Sequence, residues 1–462
     1  MLRKIRFSLF LALFIAILAA CAKPLITPKI VRHPAAVDFS YINPHPTPPA
    51  QFDPNSGNPF QIDYRSSNLS ELDLTQSLEG LLASDFDTQT VWPPAERLPV
   101  GFDPQEIMEL GKDPGLGVRS LHAQGITGAG VGIAIIDQPM LVDHQEYMSR
   151  LKLYEEINID PGNESQMHGP AVASIAVGKT VGVAPQADLY FIADWPGTWA
   201  GAGSFDYDFS YLARAVRRIL EINKSLPRGH KIRVISMSIG WRPDMQGYAD
   251  MVAAVNEAKK AGIFVVSMSI QDTYGWDMMG LGRSAQADPN NFGSYMTPVL
   301  WGEKYYNNPS ILSSNSLLIP MDARTTASPT GNQDYVFYSA GGMSWTAPYL
   351  AGVYALACQI DPKITPQEFW STALQTGRTN QIEHNGKQYS FGVILDPPGL
   401  IAALQKKINE IRLYANLAGE LWKVSMNESW KKHHSLDEKI TDSRSHSYRE
   451  LLIACSSALN RL

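Results

Sequence analysis

The sequence predicts an α/β protein with a mostly parallel sheet flanked by helices on both faces, an N-terminal extension and a helical C-terminal tail. Three observations support this fold class. From residue 128 onward, short apolar runs alternate with longer segments that have helical spacing. The apolar runs are continuous and rich in β-branched residues, which is typical of strands buried on both faces. Hydrophobic residues make up 44% of the 462 residues and charged residues 18%, so a large core can form.

The alternation of strands and helices can be followed along the central region. The predicted strands cover residues 131–137, 187–194, 231–240 and 263–269. The predicted helices cover residues 168–178, 209–223, 248–262 and 344–358. In sheets of this kind the functional site gathers at the carboxyl ends of the strands. Polar residues that directly follow the apolar runs are therefore candidates for the functional site.

The first 20 residues have the pattern of an export signal. A basic start precedes an apolar run over residues 7–18, which is too short to span a membrane comfortably. The stretch "LAAC" ends at Cys21 and resembles the lipobox of bacterial lipoproteins, in which the cysteine is lipidated. We therefore expect residues 1–20 to be a lipoprotein signal peptide and Cys21 to anchor the exported chain to a bacterial membrane. An ordinary secretory signal, cleaved after a small residue, is the alternative.

The segments on either side of the predicted sheet differ from it in composition. Residues 21–60 are rich in proline and polar residues, which predicts an extended tether. Residues 61–119 are expected to form an N-terminal extension or a leader. A zymogen, in which residues 22–120 cover the site, is one interpretation of this region. Residues 405–462 mix charge with apolar residues at helical spacing, which predicts a helical tail that docks on the main domain or binds a partner.

Charge and cysteine content argue against two classes of protein. The net charge of −6 disfavours a nucleic-acid binder, because such proteins neutralise phosphates with an excess of basic residues. Apart from Cys21, the chain has only Cys358 and Cys455, so the fold has no disulfide framework. The sequence leaves open whether these two cysteines pair. Cys358 lies in an apolar helical run and is expected to be a small buried residue.

Three residue types that nucleophilic catalysis requires stand at the ends of predicted elements. Asp137 ends the first strand, His168 begins a helix and Ser344 begins another. A serine hydroxyl needs an imidazole to take its proton, and the imidazole needs a carboxylate to hold its tautomer. A helix N-terminus adds backbone N–H groups near the oxyanion that develops. Each residue alone has an ordinary structural explanation, but together their order favours a catalytic triad.

The motifs around these residues resemble those of the subtilisin-like (subtilase) serine proteases. "GAGVGIAIID" is similar to the aspartate motif of the family, "HGPAVASIAVGKTVGVAPQADLYF" to its histidine motif and "GGMSWTAPYLAGVYAL" to its serine motif. The resemblance covers residues 120–404 and implies a serine endopeptidase that hydrolyses peptides or proteins through an acyl-enzyme. That chemistry needs no cofactor. Structural calcium is common in the family, but the sequence assigns it no ligands.

Several positions depart from the pattern of the family. The unusual neighbours of the candidate triad are Gln138-Pro139, Pro170-Ala171 and Met343. Gln271 stands where the family has its oxyanion asparagine, and its side chain offers the same amide donor with one more methylene group. Because such neighbours support catalytic geometry, a competing interpretation is a surface lipoprotein that holds peptides in the cleft without cutting them.

The resemblance also implies which residues line the substrate cleft. "RVISMSIG" is similar to a strand that lines the cleft in the family, and it contributes Ser236, Ser238 and Gly240. Trp241 follows where the family often has a small residue. We therefore expect its indole ring to narrow one wall of the groove.

A second candidate for the cleft is the stretch that follows the predicted strand ending at Asp194. Trp195, Trp199 and the glycine- and aromatic-rich residues 196–211 form an unusual loop. This loop either shapes a peptide site or packs against the domain.

Overall fold

The computed structural model describes residues 28–53, 56, 58–199, 201 and 203–434. The expected signal peptide, Cys21 and Cys455 lie outside these residues. The chain divides into a unit that ends at Leu400 and a second unit that begins at Ile401. In the second unit, the described residues belong to one long helix. None of the helices within the described ranges is long and apolar enough to cross a membrane.

The strands and helices are numbered here in chain order. The strands are β1 (Lys29–Ile30), β2 (Phe86–Asp87), β3 (Gly132–Asp137), β4 (Leu151–Ile157), β5 (Asp188–Asp194), β6 (Gly197–Trp199), β7 (Phe205–Tyr207), β8 (Ile232–Met237), β9 (Phe264–Ser267), β10 (Asp277–Arg283), β11 (Tyr295–Met296), β12 (Ser316–Pro320), β13 (Arg324–Ala327), β14 (Tyr335–Tyr338), β15 (Arg378–His384) and β16 (Lys387–Ile394). The α-helices are α1 (Leu78–Leu82), α2 (Pro104–Lys112), α3 (Val118–Ala123), α4 (His168–Val177), α5 (Ser210–Ser225), α6 (Tyr248–Lys260), α7 (Ile270–Tyr274), α8 (Gly302–Asn307), α9 (Thr346–Ile360), α10 (Pro366–Thr376) and α11 (Pro397–His434).

A parallel sheet with the strand order β1-β4-β5-β3-β8-β9 forms the centre of the first unit. Each adjacent pair of strands in this sheet is parallel. The predicted α/β class is therefore confirmed, and the four apolar runs identified in the sequence are β3, β5, β8 and β9. A second sheet has the order β11-β10-β12-β16-β15, a three-stranded sheet has the order β13-β14-β2, and β6 pairs with β7 in a hairpin.

Helices cover both faces of the parallel sheet. Ala134 and Ile136 of β3 belong to an apolar cluster that includes residues of α5 and α6. Ile133 and Ile135 alternate with them along the strand, so they face the opposite side, and both are buried. Helices α4 and α9 contact β3. This burial on both faces explains why the strand reads as one continuous apolar run. As expected, Cys358 is buried, and it lies in α9.

The stretch that was expected to be an extended tether is attached to the first unit along part of its length. Strand β1 pairs with β4 at the edge of the parallel sheet. Arg32 forms an ion pair of 2.7 Å with Glu156, and the backbone nitrogen of Val37 donates to the carbonyl oxygen of Pro329 at 3.1 Å. Between Lys29 and Val37 the chain is therefore part of the folded unit. Composition did not indicate this because a two-residue edge strand has too short a pattern to recognise.

The N-terminal extension packs into the same unit through an aromatic cluster. The ring of Phe86 lies 5.1 Å from that of Phe337 and 5.3 Å from that of Trp92. The ring centroids of Phe102 and Trp92 are 5.2 Å apart. Strand β2, which contains Phe86, is the third strand of the small antiparallel sheet with β13 and β14. The extension thus shares a core with the segments that precede the candidate nucleophile.

Candidate active site

Asp137 stands at the carboxyl end of β3, in the middle of the parallel sheet. Its Oδ1 accepts a hydrogen bond of 2.6 Å from Nδ1 of His168 and one of 2.8 Å from the backbone nitrogen of Gln138. Its side chain is only 6% exposed, and that of His168 is 20% exposed. A short hydrogen bond to a shielded carboxylate is among the stronger polar contacts in proteins, so the two side chains hold each other in place.

A glycine allows the start of α4 to approach the end of β3. A Cβ atom at Gly169 would collide with the carbonyl oxygens of Gln138 and Pro139. The first turn of α4 therefore lies directly against the chain that leaves β3, which a larger residue would prevent. This close approach puts His168, the first residue of α4, beside Asp137.

The hydrogen bond to Asp137 fixes the protonation of the His168 ring. An ionised carboxylate only accepts hydrogen bonds, so Nδ1 carries the hydrogen and Nε2 of the neutral ring keeps its lone pair. Burial lowers the pKa of His168, but the charge of Asp137 and its hydrogen bond outweigh burial, and the pKa is raised above its ordinary value of 6.5. The ring is therefore a stronger base than a free imidazole.

A tryptophan directly after the candidate nucleophile packs on the same imidazole. The ring centroids of His168 and Trp345 are 5.4 Å apart, with the planes inclined by 32°. Trp345 is buried, and its ring centroid also lies 5.5 Å from that of Tyr338. The position of the imidazole is thus set by a carboxylate at Nδ1 and by an indole ring against the ring.

Ser344 lies in the single 3₁₀ turn Met343–Trp345 that leads into α9. Two hydrogen bonds connect it to Ser238, which follows the end of β8. The Ser238 hydroxyl donates to the carbonyl oxygen of Ser344 at 2.8 Å, and the Ser344 hydroxyl donates to the carbonyl oxygen of Ser238 at 3.5 Å. The second bond is long and therefore weak, so it holds the hydroxyl only loosely.

A buried acid holds the turn that carries Ser344 by a hydrogen bond to the backbone just before it. The backbone nitrogen of Gly341 donates to Oδ1 of Asp322 at 2.9 Å, and a Cβ atom at Gly341 would collide with the carbonyl oxygen of Met321. Burial raises the pKa of Asp322 to about 8, although the Gly341 hydrogen bond acts in the opposite direction. Close packing therefore requires a glycine at Gly341, the first residue of the glycine pair before the serine.

His168 and Ser344 line the same cavity, which has a volume of 390 Å³. Part of the wall of this cavity comes from the N-terminal extension, with Phe60, Ile62, Asp63, Arg65 and Asp85. Arg65 forms an ion pair of 2.7 Å with Asp63, so its charge is compensated within the wall. Burial raises the pKa of Asp85 to about 7. The extension therefore helps to build the walls around the candidate nucleophile.

A second cavity, of 440 Å³, is also lined by His168. Asp137 and Ser238 also line it, together with Asp194 and aromatic residues of the hairpin β6–β7. The predicted loop after Asp194 thus contributes side chains to a cavity beside the candidate site. His168 thus lines both cavities.

The structure places the remaining predicted site residues elsewhere. Trp241 is 3% exposed and belongs to the apolar cluster with α5 and α6, so it narrows neither cavity, contrary to our expectation. The backbone nitrogen of Trp241 donates to the hydroxyl of Ser269. Ser236 is buried within β8, and Gly240 packs against Met268 and Ser269. Neither of them lines these two cavities.

Gln271, the predicted oxyanion donor, is exposed in the first turn of α7, the short helix that follows β9. It lines neither cavity, and its role stays a prediction.

Two contacts of the site were missed in the sequence. The hydrogen bonds between Ser238 and Ser344 join segments 106 residues apart, and the packing of Trp345 on His168 depends on the path of the turn after Ser344. A tryptophan between a glycine-rich turn and an apolar helix was the only available signal for the second contact. Among the described residues, no group of three or more His, Cys, Asp or Glu side chains is arranged to hold a metal ion.

Comparisons with known proteins show similarity to serine proteases. Residues 128–270 match the model of the subtilase family. The chain is 38% identical to the subtilisin-like protease PopC of Myxococcus xanthus (strain DK1622) over 85 residues, which are 16% of this chain and 18% of PopC. It is 23% identical to the serine protease AprX of Bacillus subtilis (strain 168) over 309 residues, which are 59% of this chain and 66% of AprX. The chain thus spans less than two thirds of either relative.

A comparison with solved structures matches the chain to the prenylagaramide maturation protease PagA. It superposes with a TM-score of 0.43 and 16% sequence identity, over 62% of this chain and 98% of PagA.

Proposed function

We propose that this chain, which belongs to the subtilase family through residues 128–270, is a serine endopeptidase with Asp137, His168 and Ser344 as its catalytic triad. One observation carries the proposal: the 2.6 Å hydrogen bond between Asp137 and His168, beside a cavity that His168 shares with Ser344. This arrangement gives the imidazole a fixed tautomer with its free nitrogen available to a hydroxyl.

In the first half of the reaction, Ser344 is the nucleophile. Its Oγ attacks the carbonyl carbon of the scissile peptide bond while Nε2 of His168 takes the hydroxyl proton. The long hydrogen bond of the hydroxyl to Ser238 is given up by rotation about the Cα–Cβ bond, which costs little because that bond is weak. Catalytic hydrogen bonds often tighten only when the substrate is bound.

The tetrahedral intermediate then collapses to an acyl-enzyme. His168 returns the proton from Nε2 to the leaving amine, and the bond between the carbonyl carbon and the amine nitrogen breaks. Water attacks the ester by the same route, with its proton passing to His168 and then to Ser344. Asp137 remains ionised throughout and stabilises the imidazolium through the hydrogen bond at Nδ1.

The oxyanion needs donors that point at the position where negative charge develops. The backbone N–H of Ser344, at the start of the turn into α9, is the first donor in this proposal. The side-chain amide of Gln271 is the second. Because Gln271 is exposed on α7, its amide has to turn toward the substrate when the peptide is bound. An exposed side chain has the freedom to do this.

We also propose that the protease is exported and anchored to a bacterial membrane through lipidated Cys21, so that its substrates are peptides or proteins of the cell envelope. The order of basic residues, apolar run and "LAAC" in the sequence supports this localisation. Cells that express the full chain with an alkyne analogue of palmitate should yield a labelled protein, and Cys21→Ser should abolish the label. A labelled Cys21→Ser variant would refute the anchor.

Cleavage of an unfolded protein tests the proposed activity. The purified chain should degrade reduced casein, and Ser344→Ala should leave no more than a trace of this activity. Because a co-purified protease would act equally in both preparations, the matched variant is the control. Equal degradation by both proteins, or none by a folded native chain, would refute the proposal.

A further inference from the structure

A buried acid beside the candidate triad makes no hydrogen bond to the part of the chain that the structure describes. Asp194 ends β5, and its neighbour Ala193 is in register with Asp137 on the adjacent strand. Asp194 is 2% exposed, and neither of its carboxyl oxygens has a hydrogen-bond partner among the residues that the structure describes. Leaving such a group buried and unpaired is costly, so an acid at this position needs an explanation.

Asp194 lines the 440 Å³ cavity next to His168, and aromatic rings form much of the remaining wall. Trp195 and Trp199 have ring centroids 6.5 Å apart, Trp199 and Phe205 are 5.1 Å apart, and Phe205 and Tyr207 are 4.9 Å apart. Trp199 is 65% exposed and Tyr207 is 46% exposed, which places them at the rim. The volume is within the range of about 300–1,000 Å³ that is usual for ligand sites.

The charge of the cavity selects among possible ligands. Its lining contains the acids Asp137 and Asp194 and the imidazole of His168 but no lysine or arginine, so the ionised form of Asp194 would repel an anion and attract a cation. An apolar side chain would leave the carboxyl of Asp194 unpaired. An ammonium or guanidinium group donates several hydrogen bonds to a carboxylate and is also attracted to aromatic faces. A cation of this kind therefore uses both features of the wall.

We infer that this cavity is a subsite for a lysine or arginine side chain of the peptide substrate, with Asp194 as the carboxylate that pairs with its charge. The basic side chain enters past Trp199 and Tyr207, and its charged end meets Asp194. Burial raises the pKa of Asp194 to about 8 while the site is empty, with the charge of Arg214 acting in the opposite direction. A bound cation favours the ionised form, so binding releases a proton near neutral pH.

The inference rests on the proposed function only for the identity of the ligand as a peptide, because binding can be measured without cleavage. The test uses a series of hexapeptides in which lysine occupies each position in turn, and a matched series with norleucine in its place. Each peptide is titrated into the Ser344→Ala variant of the full chain. Norleucine keeps the length of the lysine chain and removes its charge. The fluorescence of Trp195 and Trp199 reports binding. At one position, lysine should bind about ten to a hundred times more tightly, as expected of a hydrogen bond to a charged group.

Three further variants test whether this preference belongs to the cavity. Asp194→Asn, added to Ser344→Ala, should reduce the ratio of lysine to norleucine affinity to near one. Asp206→Asn removes an exposed carboxylate from the same hairpin, in β7, and should leave the ratio unchanged. Trp199→Ala should weaken lysine binding severalfold, and because Trp199 is mostly exposed, this variant tests the subsite even if Asp194→Asn fails to fold.

Cleavage by the unmodified chain provides the second measurement. Substrates with arginine should have a higher kcat/KM than those with citrulline, which has the same shape without the charge. Cleavage without this preference would overturn the subsite and leave the protease intact. Binding that depends on Asp194, with no cleavage of any peptide, would support the subsite and refute the proteolytic function. A lysine preference that survives both Asp194→Asn and Trp199→Ala would overturn the inference.

Discussion

Trp345 packs against the ring of His168, with the centroids 5.4 Å apart, although it directly follows the candidate nucleophile in the chain. The same short turn thus delivers the hydroxyl of Ser344 and restrains the imidazole that would take its proton. Asp137 holds the other part of the ring through Nδ1. Two unrelated contacts therefore determine the direction in which Nε2 points.

The contact between Trp345 and His168 predicts a loss of rate when the indole is removed. We expect Trp345→Ala to lower kcat by about 10- to 100-fold, because small misplacements of a catalytic base are costly. The fall in kcat should exceed any change in KM, since the indole packs on the base, although it also lines the cavity that contains Ser344. Trp345→Phe keeps a ring in place and should recover most of the rate. An unchanged kcat in a folded Trp345→Ala variant would show that the contact has no role in positioning.

Asp137 should determine both the rate and its pH dependence. We expect Asp137→Asn to lower kcat by about 10⁴-fold, because the amide no longer selects the correct tautomer. His168 acts as a base only when it is neutral, so activity is lost as the pH falls through its pKa, which lies above 6.5 in the native protein. Without the charge of Asp137, the acid limb of the kcat/KM profile should move to lower pH.

The control for this experiment is Asp143→Asn. Asp143 is a half-exposed acid that pairs with His33, and its loss should leave the rate and the pH profile unchanged. An acid limb that does not move in Asp137→Asn would contradict the assignment of that limb to His168.

Gln271 should affect the chemical step if it donates to the oxyanion. We expect Gln271→Ala to lower kcat by about 10²–10³-fold with KM nearly unchanged, the effect typical of a lost oxyanion donor. Asp272→Ala, at the next and equally exposed position, is the matched control. A Gln271→Ala variant with the native kcat would assign the second donor to another group.

Asp194 should make the stability of the empty protein depend on pH. In the unfolded chain this carboxyl ionises near its ordinary pKa of 3.8, whereas in the folded protein burial holds its pKa at about 8. Between these values the unfolded state releases the proton and the folded state keeps it, so the contribution of Asp194 to stability falls as the pH rises from about 4 to 8. Asparagine has no such proton to lose.

The corresponding measurement is the Tm of Asp194→Asn minus that of the native chain, at pH 5 and at pH 8.5. The difference should become more positive at the higher pH. Taking a difference removes the contributions of groups that both proteins share, including Asp85, Asp322 and the facing residues Asp137, His168 and Arg214. A difference that is constant or that falls with pH would contradict the burial of an unpaired carboxyl at this position.

The parallel sheet and the approach of Asp137 to His168 could be predicted from local patterns. Strands β3, β5, β8 and β9 are continuous apolar runs because both of their faces are covered, and polar residues at their carboxyl ends point to the site. Asp137 stands at the carboxyl end of β3, and His168 stands at the start of the helix that faces this end. These features depend on residues that are close in sequence or on a regular topology.

Contacts between segments that are distant in the sequence could not be predicted from sequence patterns. Trp241 was expected in the cleft, but a residue that follows a strand can turn to either side, and here the larger apolar surface is available on the buried side. The pairing of β1 with β4 and the wall that residues 60–65 contribute to the Ser344 cavity depend on how the N-terminal extension folds back. No periodicity in those residues indicates that path.

The reactivity of one hydroxyl tests the central claim most directly. The native chain is treated with a fluorophosphonate, which reacts covalently with an activated serine, and the adduct is located by peptide mass spectrometry. We predict a single adduct on Ser344, no adduct in Ser344→Ala, and much slower labelling in His168→Ala. A folded native chain that stays unlabelled, or that carries its adduct on another residue, would contradict the account.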